Sequence, residues 1–269
     1  MSTDAEARRR GRPGRGQSES IQSLVKALAI LDCLAYSEAP IGVTEVASQV
    51  GVPKATAHRL LATLLANDAV AYNADSQRYS LGSSIMRYGL MGVQRLSLHR
   101  AGHPYLESLH QVTGETAVLA IRQEDAKIFI DQIESQEEIR HKATLGRRLP
   151  LYHGGAGLAI LAYMKPPEIE AYLSQGNFAK IESNTIVEPE RLRKELELVR
   201  KRGYGVTQSD RITSIGSPVF DHTRIVVGAI AVFAPTYRVP YDHIAKYAQS
   251  VKSMAEKLSA NMGYTAPFA

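Results

Sequence analysis

Residues 42–68 read "GVTEVASQVGVPKATAHRLLATLLAND". The apolar residues of this stretch recur at the spacing of two short helices, and Gly51 stands between them, where a tight turn needs a conformationally permissive residue. Ala47 is small enough to let two helices cross closely. Pro53 is expected at the first position of the second helix, because the N–H that proline lacks is unpaired there in any helix. The pattern predicts a helix-turn-helix.

Polar and basic side chains gather at the start of the second helix, and its leucines follow. In a helix-turn-helix the second helix enters the major groove of DNA by its N-terminal turns, so side chains at that end reach the bases. The candidates for base or phosphate contact are Lys54, Ala55, Thr56, His58 and Arg59. Thr44, at the start of the preceding helix, is placed to contact a phosphate. The alternatives are an ordinary helical hairpin with solvated charges and, for His58 alone, a surface role without a base contact.

The flanking segments complete a winged helix. Residues 69–82, "AVAYNADSQRYSLG", predict two strands around an Asn-Ala-Asp-Ser turn, and Arg78 in the second strand is a further candidate for DNA contact. On the other side, residues 20–36 predict a helix with Ser20 as its N-cap. Its apolar residues at helical spacing are Ile21, Leu24, Val25, Leu28, Leu31 and Leu34. We predict a winged helix-turn-helix domain over 19–81 and a linker helix over 82–98.

The N-terminus is rich in arginine, glycine and proline. This composition cannot bury enough apolar surface to offset the entropy of ordering, so residues 1–18 are predicted to be a disordered basic tail. The net charge is +5, yet between residues 17 and 85 acidic residues outnumber basic ones. "RGRP" at 10–13 resembles the core of an AT-hook, which would place Arg10 and Arg12 in a minor groove. The alternative is a tail that only solubilises the chain.

The second domain is predicted over residues 99–265. Strands at 116–122, 126–135 and 139–146 show the alternation of a half-exposed antiparallel sheet. Three helices and three more strands follow, and a long helix over 240–262 comes last. This mixture predicts an α+β domain of the sensor type and not a parallel, doubly wound sheet.

Composition and motifs exclude several classes of protein. A single cysteine, Cys33, allows no internal disulfide and no cysteine-built zinc site, which suits a reducing cytoplasm. The apolar stretches are shorter than the ~20 residues of a membrane helix, so no membrane contact is expected. Neither a nucleotide-binding glycine loop nor a Gly-x-Ser-x-Gly elbow occurs, and no cofactor is expected. His99 and His103 lie four apart, as metal ligands on a helix can, but we interpret them as surface residues and expect no metal site.

As a set, these features resemble the IclR family of bacterial transcriptional regulators. The resemblance begins with "SLVKALAILDCLA" (23–35) and the helix-turn-helix, and it continues in "TLGRRLPLYHGGAGLAILAYM" (144–164), "RGYGV" (202–206) and "SPVFDHTRIVVGAIAVFAP" (217–235). It implies a winged helix joined by a linker helix to a GAF-like α/β domain that binds small organic molecules, commonly acids. It also implies a homodimer or dimer of dimers that binds double-stranded operator DNA in the bacterial cytoplasm, at the nucleoid. Family habit favours a repressor over an activator.

The family's effector lies beside the loop written here as "HGGAG" (153–157). The effector contacts that the resemblance implies are Gly155, Ala156, Thr207, Ser214, Ala231 and Phe233, and His141 and His153 are added as groups that could orient a polar end. Leu158 stands where the family often has lysine, and Ala231 and Phe233 stand where members that bind very small polar acids have serines. We infer a larger, flatter and less polar effector, of which an aromatic compound is an example, and the loop N–H groups could bind its oxygens. The alternatives are core packing for the strand residues and structural roles for the histidines.

An enzyme is the competing class. A hydrolytic triad could be drawn from Ser214, His141 and Asp210, and the helix-turn-helix would then be only an interaction module. The sequence offers no geometry for such a triad. The prediction is therefore a sequence-specific DNA-binding regulator. Its effector is expected to act by biasing the spacing of two winged helices in a dimer.

Overall fold

The computed structural model describes residues 21–94, 97–176 and 178–265, and the chain divides into two compact units between Gly92 and Val93. Ser20, Arg10, Arg12 and the predicted tail lie outside the described residues. The first part of the chain contains α1 (Gln22–Tyr36), α2 (Val43–Val50), α3 (Lys54–Ala66), β1 (Val70–Asn73), β2 (Arg78–Leu81) and α4 (Ser83–Gln94). The stretch predicted as a linker helix thus holds α4 and the first residues of the next helix.

The turn between α2 and α3 follows from one glycine. Gly51 has φ +70°, in the left-handed region that favours glycine, and its N–H caps α2 by donating to the carbonyls of Ala47 and Ser48. Pro53 is the N-cap residue, and α3 begins at Lys54, one position later than predicted. Ala57 and Leu61 of α3 are fully buried and hold the helix to the core of the unit. The helix-turn-helix is confirmed.

The wing is a two-stranded antiparallel hairpin in which Val70 is paired with Leu81 and Asn73 with Arg78. The Asn73 side chain accepts a hydrogen bond from the backbone N–H of Ser76 at 2.9 Å, which stabilises the predicted turn. A further bridge joins Ile41 to Tyr79, so the wing is tied to the segment before α2.

Helix α1 occurs where predicted, but much of its apolar stripe is exposed. Ile30 is completely buried and Leu34 nearly so, whereas Ile21 is 67% exposed. Leu24, Val25 and Leu28 are also exposed. Helical periodicity located the helix, but it could not show that the small first unit covers only one flank of it.

The second part of the chain contains α5 (Ser97–Thr113), β3 (Thr116–Gln123), β4 (Ala126–Ile133), β5 (Arg148–Pro150), α6 (Gly154–Ala162), α7 (Pro166–Leu173), α8 (Pro189–Arg202), β6 (Gly205–Gln208), β7 (Ile212–Phe220), β8 (Val226–Pro235) and α9 (Ile244–Asn261). The strands form one antiparallel sheet in the order β5-β4-β3-β8-β7-β6. Helices α6, α7 and α8 pack on one face of the sheet, and α5 and α9 pack on the other. The α+β class is confirmed.

The prediction of a strand at 139–146 is wrong. This segment has no strand pairing, and the next strand is β5, which is only three residues long. Contacts outside a ladder hold it instead: the N–H of Ala143 donates to the side chain of Gln132, and the N–H of Gly146 donates to the carbonyl of Phe129. Gly146 has φ +79°, which ends any extended run.

The N-terminus of α6 lies directly against the sheet, at a distance that only glycine permits. A Cβ on Gly155 would lie 2.5 Å from the carbonyl oxygen of Ser214, and a Cβ on Gly216 would lie 2.6 Å from the backbone N of Ala156. This contact fixes the start of α6 against β6 and β7, beside the cavity described below.

Candidate DNA-binding surface and effector cavity

The predicted contact residues on α3 share one exposed surface. Lys54, Ala55, His58 and Arg59 are exposed, and Thr56 is half-buried. The helix buries Ala57 and Leu61 on its other side, so the basic residues project from the unit at the N-terminal end of α3. This is the arrangement that groove entry requires.

Thr44 and Arg78 flank this surface in different ways. Thr44 is exposed in the first turn of α2, where its hydroxyl and the free helical N–H groups are available to a phosphate. Arg78 donates to the carbonyl of Pro40 at 2.7 Å, and its Nη1 lies 4.0 Å from a carboxylate oxygen of Glu45. Part of its role is therefore to hold the wing in place.

A cavity of about 160 Å³ lies in the second unit, between the start of α6, the sheet and the segment that precedes β5. It is bounded by strand residues, by the non-strand segment 142–147 and by one residue from the loop after α7. The residues that line it are Lys127, Phe129, Lys142, Ala143, Thr144, Arg147, Leu149, His153, Gly154, Ala156, Glu182, Thr207, Ile212, Ser214 and Phe233.

Five of the eight predicted effector residues line this cavity: His153, Ala156, Thr207, Ser214 and Phe233. Two others, Gly155 and Ala231, lie close by but do not line it. The N–H of Gly155 donates to Oγ of Ser214 at 3.1 Å, and Ala231 is fully buried opposite Gly216 of β7. For Ala231 the alternative of core packing thus describes the observed position.

His141 is the third residue that does not line the cavity. Its Nε2 lies 3.1 Å from the carbonyl oxygen of Arg211, and Ser214 is hydrogen-bonded to Gly155. Among the described residues no hydrogen bond joins His141 to Ser214, so the Ser-His pair that a hydrolase needs is not formed here.

His153 is held neutral at the N-cap of α6. Burial, then the positive charges of Lys127 and Arg147, lower the pKa of His153 to about 4. At neutral pH its ring therefore offers one donor and one acceptor to a ligand but no charge.

Lys127 was missed by the sequence analysis. It lies on β4 and is 1% exposed. Its Nζ donates to the carbonyl of Pro150 at 3.1 Å and to the carbonyl of His153. Burial lowers the pKa of Lys127 to about 7. A Cβ on Gly157 would lie 2.8 Å from this nitrogen, so the glycine makes room for the amine.

The apolar part of the cavity is aromatic. The rings of Phe129 and Phe233 meet edge to face, with centroids 5.4 Å apart. Nζ of Lys127 lies 5.9 Å from the centroid of the Phe129 ring. The cavity therefore combines an aromatic wall with a cationic corner, and the periodicity of β4 carries the missed signal, since Lys127 alternates onto the same face as the buried Phe129.

Metal and membrane roles find no support in the described part of the chain. His103 lies 2.6 Å from Asp131 and His99 lies 3.7 Å from the same carboxylate, but no group of three or more ligating side chains is arranged to hold a metal ion. Within the described ranges no helix is both long and apolar enough to cross a bilayer.

A winged helix with an exposed basic helix, followed by an α/β unit with a ligand-sized cavity, defines a DNA-binding transcriptional regulator that responds to a small molecule. Comparison with known proteins agrees. The IclR helix-turn-helix domain matches residues 23–74, and the bacterial transcriptional regulator IclR C-terminal domain matches residues 91–260. The chain belongs to the IclR family. This family consists of transcriptional regulators. The prediction of a transcriptional regulator is therefore confirmed, and the hydrolase alternative is not supported.

Individual relatives align over almost the whole chain. The HTH-type transcriptional regulator KdgR of Dickeya chrysanthemi is 32% identical over 92% of this chain and 82% of its own length. The HTH-type transcriptional repressor AllR of Escherichia coli is 29% identical over 97% of this chain and 98% of its own. An IclR homologue of Microbacterium hydrocarbonoxydans, solved in complex with 4-hydroxybenzoate, shares the fold, with a TM-score of 0.77 at 20% identity over 89% of this chain and 98% of that one.

Proposed function

We propose that the chain is a repressor that binds operator DNA through the start of α3 and releases it when a single-ring organic acid occupies the cavity. The observation that carries the proposal is the cavity itself, with its two edge-to-face phenylalanines and its basic residues. A cavity of about 150 Å³ is large enough for benzene, so the observed volume suits one aromatic ring. The Microbacterium homologue complexed with 4-hydroxybenzoate and the repressor AllR support this choice.

The DNA contacts are assigned to the exposed front of the first unit. Lys54 and Arg59 supply positive charge and donors to guanine or phosphate, and His58 and the small Ala55 and Thr56 lie beside them. Thr44 and Arg78 are assigned to phosphates on either side. Arg10 and Arg12, which lie outside the described residues, are assigned to the adjacent minor groove. We also propose that the basic tail ends at residue 18, the winged helix-turn-helix domain at residue 81 and the linker helix at residue 98.

A second copy of the chain is proposed to cover the exposed apolar stripe of α1. Monomers rarely leave a continuous apolar surface on one helix, and the stripe of Ile21, Leu24, Val25 and Leu28 is exposed. A homodimer, or a dimer of such dimers, would bury it and present two recognition helices to a two-fold operator in the bacterial cytoplasm.

The experiment is DNA binding by fluorescence anisotropy with the fragment upstream of the gene. We expect Lys54→Ala combined with Arg59→Ala to weaken binding about 100-fold or more. The slope of log affinity against log salt concentration should fall by about two, as the loss of two phosphate contacts requires. The matched control is Arg191→Ala combined with Lys194→Ala, which removes the same charge from exposed positions of α8. Affinity within threefold of wild type for the α3 variant would rule out this DNA-binding surface.

Control by a ligand is tested with the same DNA fragment. Benzoate, 4-hydroxybenzoate and phenylacetate are added at millimolar concentration to the preformed complex. At least one is expected to release the DNA, and enhancement of binding by all of them would contradict release as the mechanism. If neither these acids nor neutral single-ring compounds alter binding, the effector role assigned to the cavity is wrong.

A further inference from the structure

Lys127 stands out among the buried groups because no described carboxylate forms an ion pair with it. Its surroundings disfavour the charged form through burial alone, with no acidic neighbour to offset the cost. An unpaired buried ammonium is expensive, and such a group is retained where it performs a function. The amine also lines the cavity, so its environment includes whatever the cavity binds.

The charged groups around Lys127 are engaged elsewhere or lie at the rim. Its partner across the ladder in β3 is Arg122, which is bound to Glu168 of α7 at 2.7 Å. Lys142 pairs with Glu134 at 3.6 Å, and Arg147 is exposed. The remaining charged group that lines the cavity is Glu182, and Arg148 of β5, which does not line it, pairs with Asp125. None of these supplies a counter-charge to Lys127.

Two fixed hydrogen bonds orient the amine. Nζ donates to the carbonyls of Pro150 and His153, which lie on the turn that leads into α6. An ammonium carries a third N–H, and an anion in the cavity is a suitable acceptor for it. Gly157 leaves this corner open, since a side chain there would occupy the position of the amine.

We propose that Lys127 is the anchor for the carboxylate of the ligand and that it takes up a proton when the ligand binds. This inference rests on the proposed function, because it specifies the chemistry of the ligand at the same cavity. In the complex the buried carboxylate and the ammonium neutralise each other. In the free protein the amine loses its proton readily at physiological pH, so the buried charge is present only when its partner is.

The pH dependence follows from this exchange. Since the pKa of Lys127 is lowered to about 7 in the free protein, most molecules carry a neutral amine at pH 8. A bound carboxylate raises that pKa, so binding consumes a proton and affinity falls by up to about tenfold for each pH unit above 7. The ligand carboxylate stays ionised over this range. His153, whose pKa is about 4, stays neutral throughout it.

The test uses matched acids and amides on the full-length protein. Benzoate, 4-hydroxybenzoate and phenylacetate are each compared with their primary amides by isothermal titration calorimetry at pH 8, in two buffers that differ in ionisation enthalpy. We expect binding only by acids, with uptake of about one proton, and loss of at least about tenfold in affinity for Lys127→Gln. Gln keeps N–H donors for the two carbonyls, and Lys127→Met is a second variant should Gln fail to fold.

The control is Lys194→Met, which removes a lysine from an exposed position of α8 that does not line the cavity. Its affinity for the acids should remain within threefold of wild type. The inference is overturned if an amide binds as well as its acid, if no acid binds at millimolar concentration, if proton uptake is absent, or if Lys127→Gln binds acids as wild type does. A neutral compound that releases the DNA would overturn the role of Lys127 and the acidic nature of the ligand, but the cavity would remain the effector site. DNA binding that no compound alters would overturn the proposed function.

Discussion

Lys54 and Lys127 belong to the two candidate sites, and they lie in opposite environments. Lys54 is exposed at the start of α3, so its charge is solvated before DNA arrives and is screened by salt. Lys127 is 1% exposed on β4, so its charge is costly before a ligand arrives and salt hardly reaches it. The same type of side chain can therefore serve two kinds of sensing. The exposed site is expected to respond to ionic strength, and the buried one to pH.

Separating α6 from β7 beside the cavity should have the strongest effect on the protein. In Gly216→Val the side chain would meet the backbone of Ala156 at 2.6 Å, so α6 must leave β7. We expect a loss of about 3 kcal/mol or more from the free energy of unfolding of the second unit, measured by urea denaturation. DNA binding by the first unit should weaken far less than the response to the ligand.

Gly89→Ala in α4 is the control for this substitution. A Cβ at Gly89 has nothing within 4 Å, so alanine should be neutral or stabilise the chain by up to about 1 kcal/mol. Equal stability of the two variants would mean that α6 does not lie on the sheet as described.

A smaller effect is expected from pH alone, without any ligand. Between pH 7 and 9 the native Lys127 is largely neutral, because its pKa is about 7, while the unfolded chain still binds the proton. The unfolded state therefore holds more protons, and stability rises with pH by up to about 1.4 kcal/mol per unit. Urea denaturation at pH 7, 8 and 9 should show this rise in wild type and a flatter profile in Lys127→Met. Parallel profiles in the two proteins would show that the buried amine is not the group that titrates.

The two sites also differ in how far the sequence could predict them. The DNA-binding surface depends on local features, namely a turn glycine, a proline at a helix start and basic residues one helical turn apart, and all of these can be recognised in 27 consecutive letters. The cavity depends on a lysine whose two partners are backbone carbonyls more than twenty residues away. The one local signal of burial is that Lys127 alternates onto the same face of β4 as Phe129, but a lysine in an alternating strand usually indicates the solvated face.

The resemblance to the family located part of the cavity and missed part of it. Ser214, Thr207 and Phe233 lie on its wall, on the paired strands β6, β7 and β8. Ala231 lies in the core and His141 is held by Arg211, because their positions depend on packing that spacing does not encode. The prediction of a strand at 139–146 was wrong for the same reason. The residues alternate in sequence as a strand does, but a glutamine side chain and a glycine turn hold their backbone.

The weakest of these effects is expected at the Ser214 hydroxyl, which lines the cavity and is bonded to α6. Ser214→Ala removes the acceptor of the Gly155 N–H and should cost about 1–2 kcal/mol, because that buried donor is left without a partner. Ser217→Ala is a matched control on the same strand, since its buried hydroxyl donates to the carbonyl of Gly203 at 2.9 Å and does not line the cavity. Both variants should lose similar stability, but only Ser214→Ala should also weaken benzoate binding, by about threefold to tenfold. Equal benzoate affinities in the two variants would show that Ser214 is structural, and the buried site would then depend on Lys127 and the phenylalanines alone.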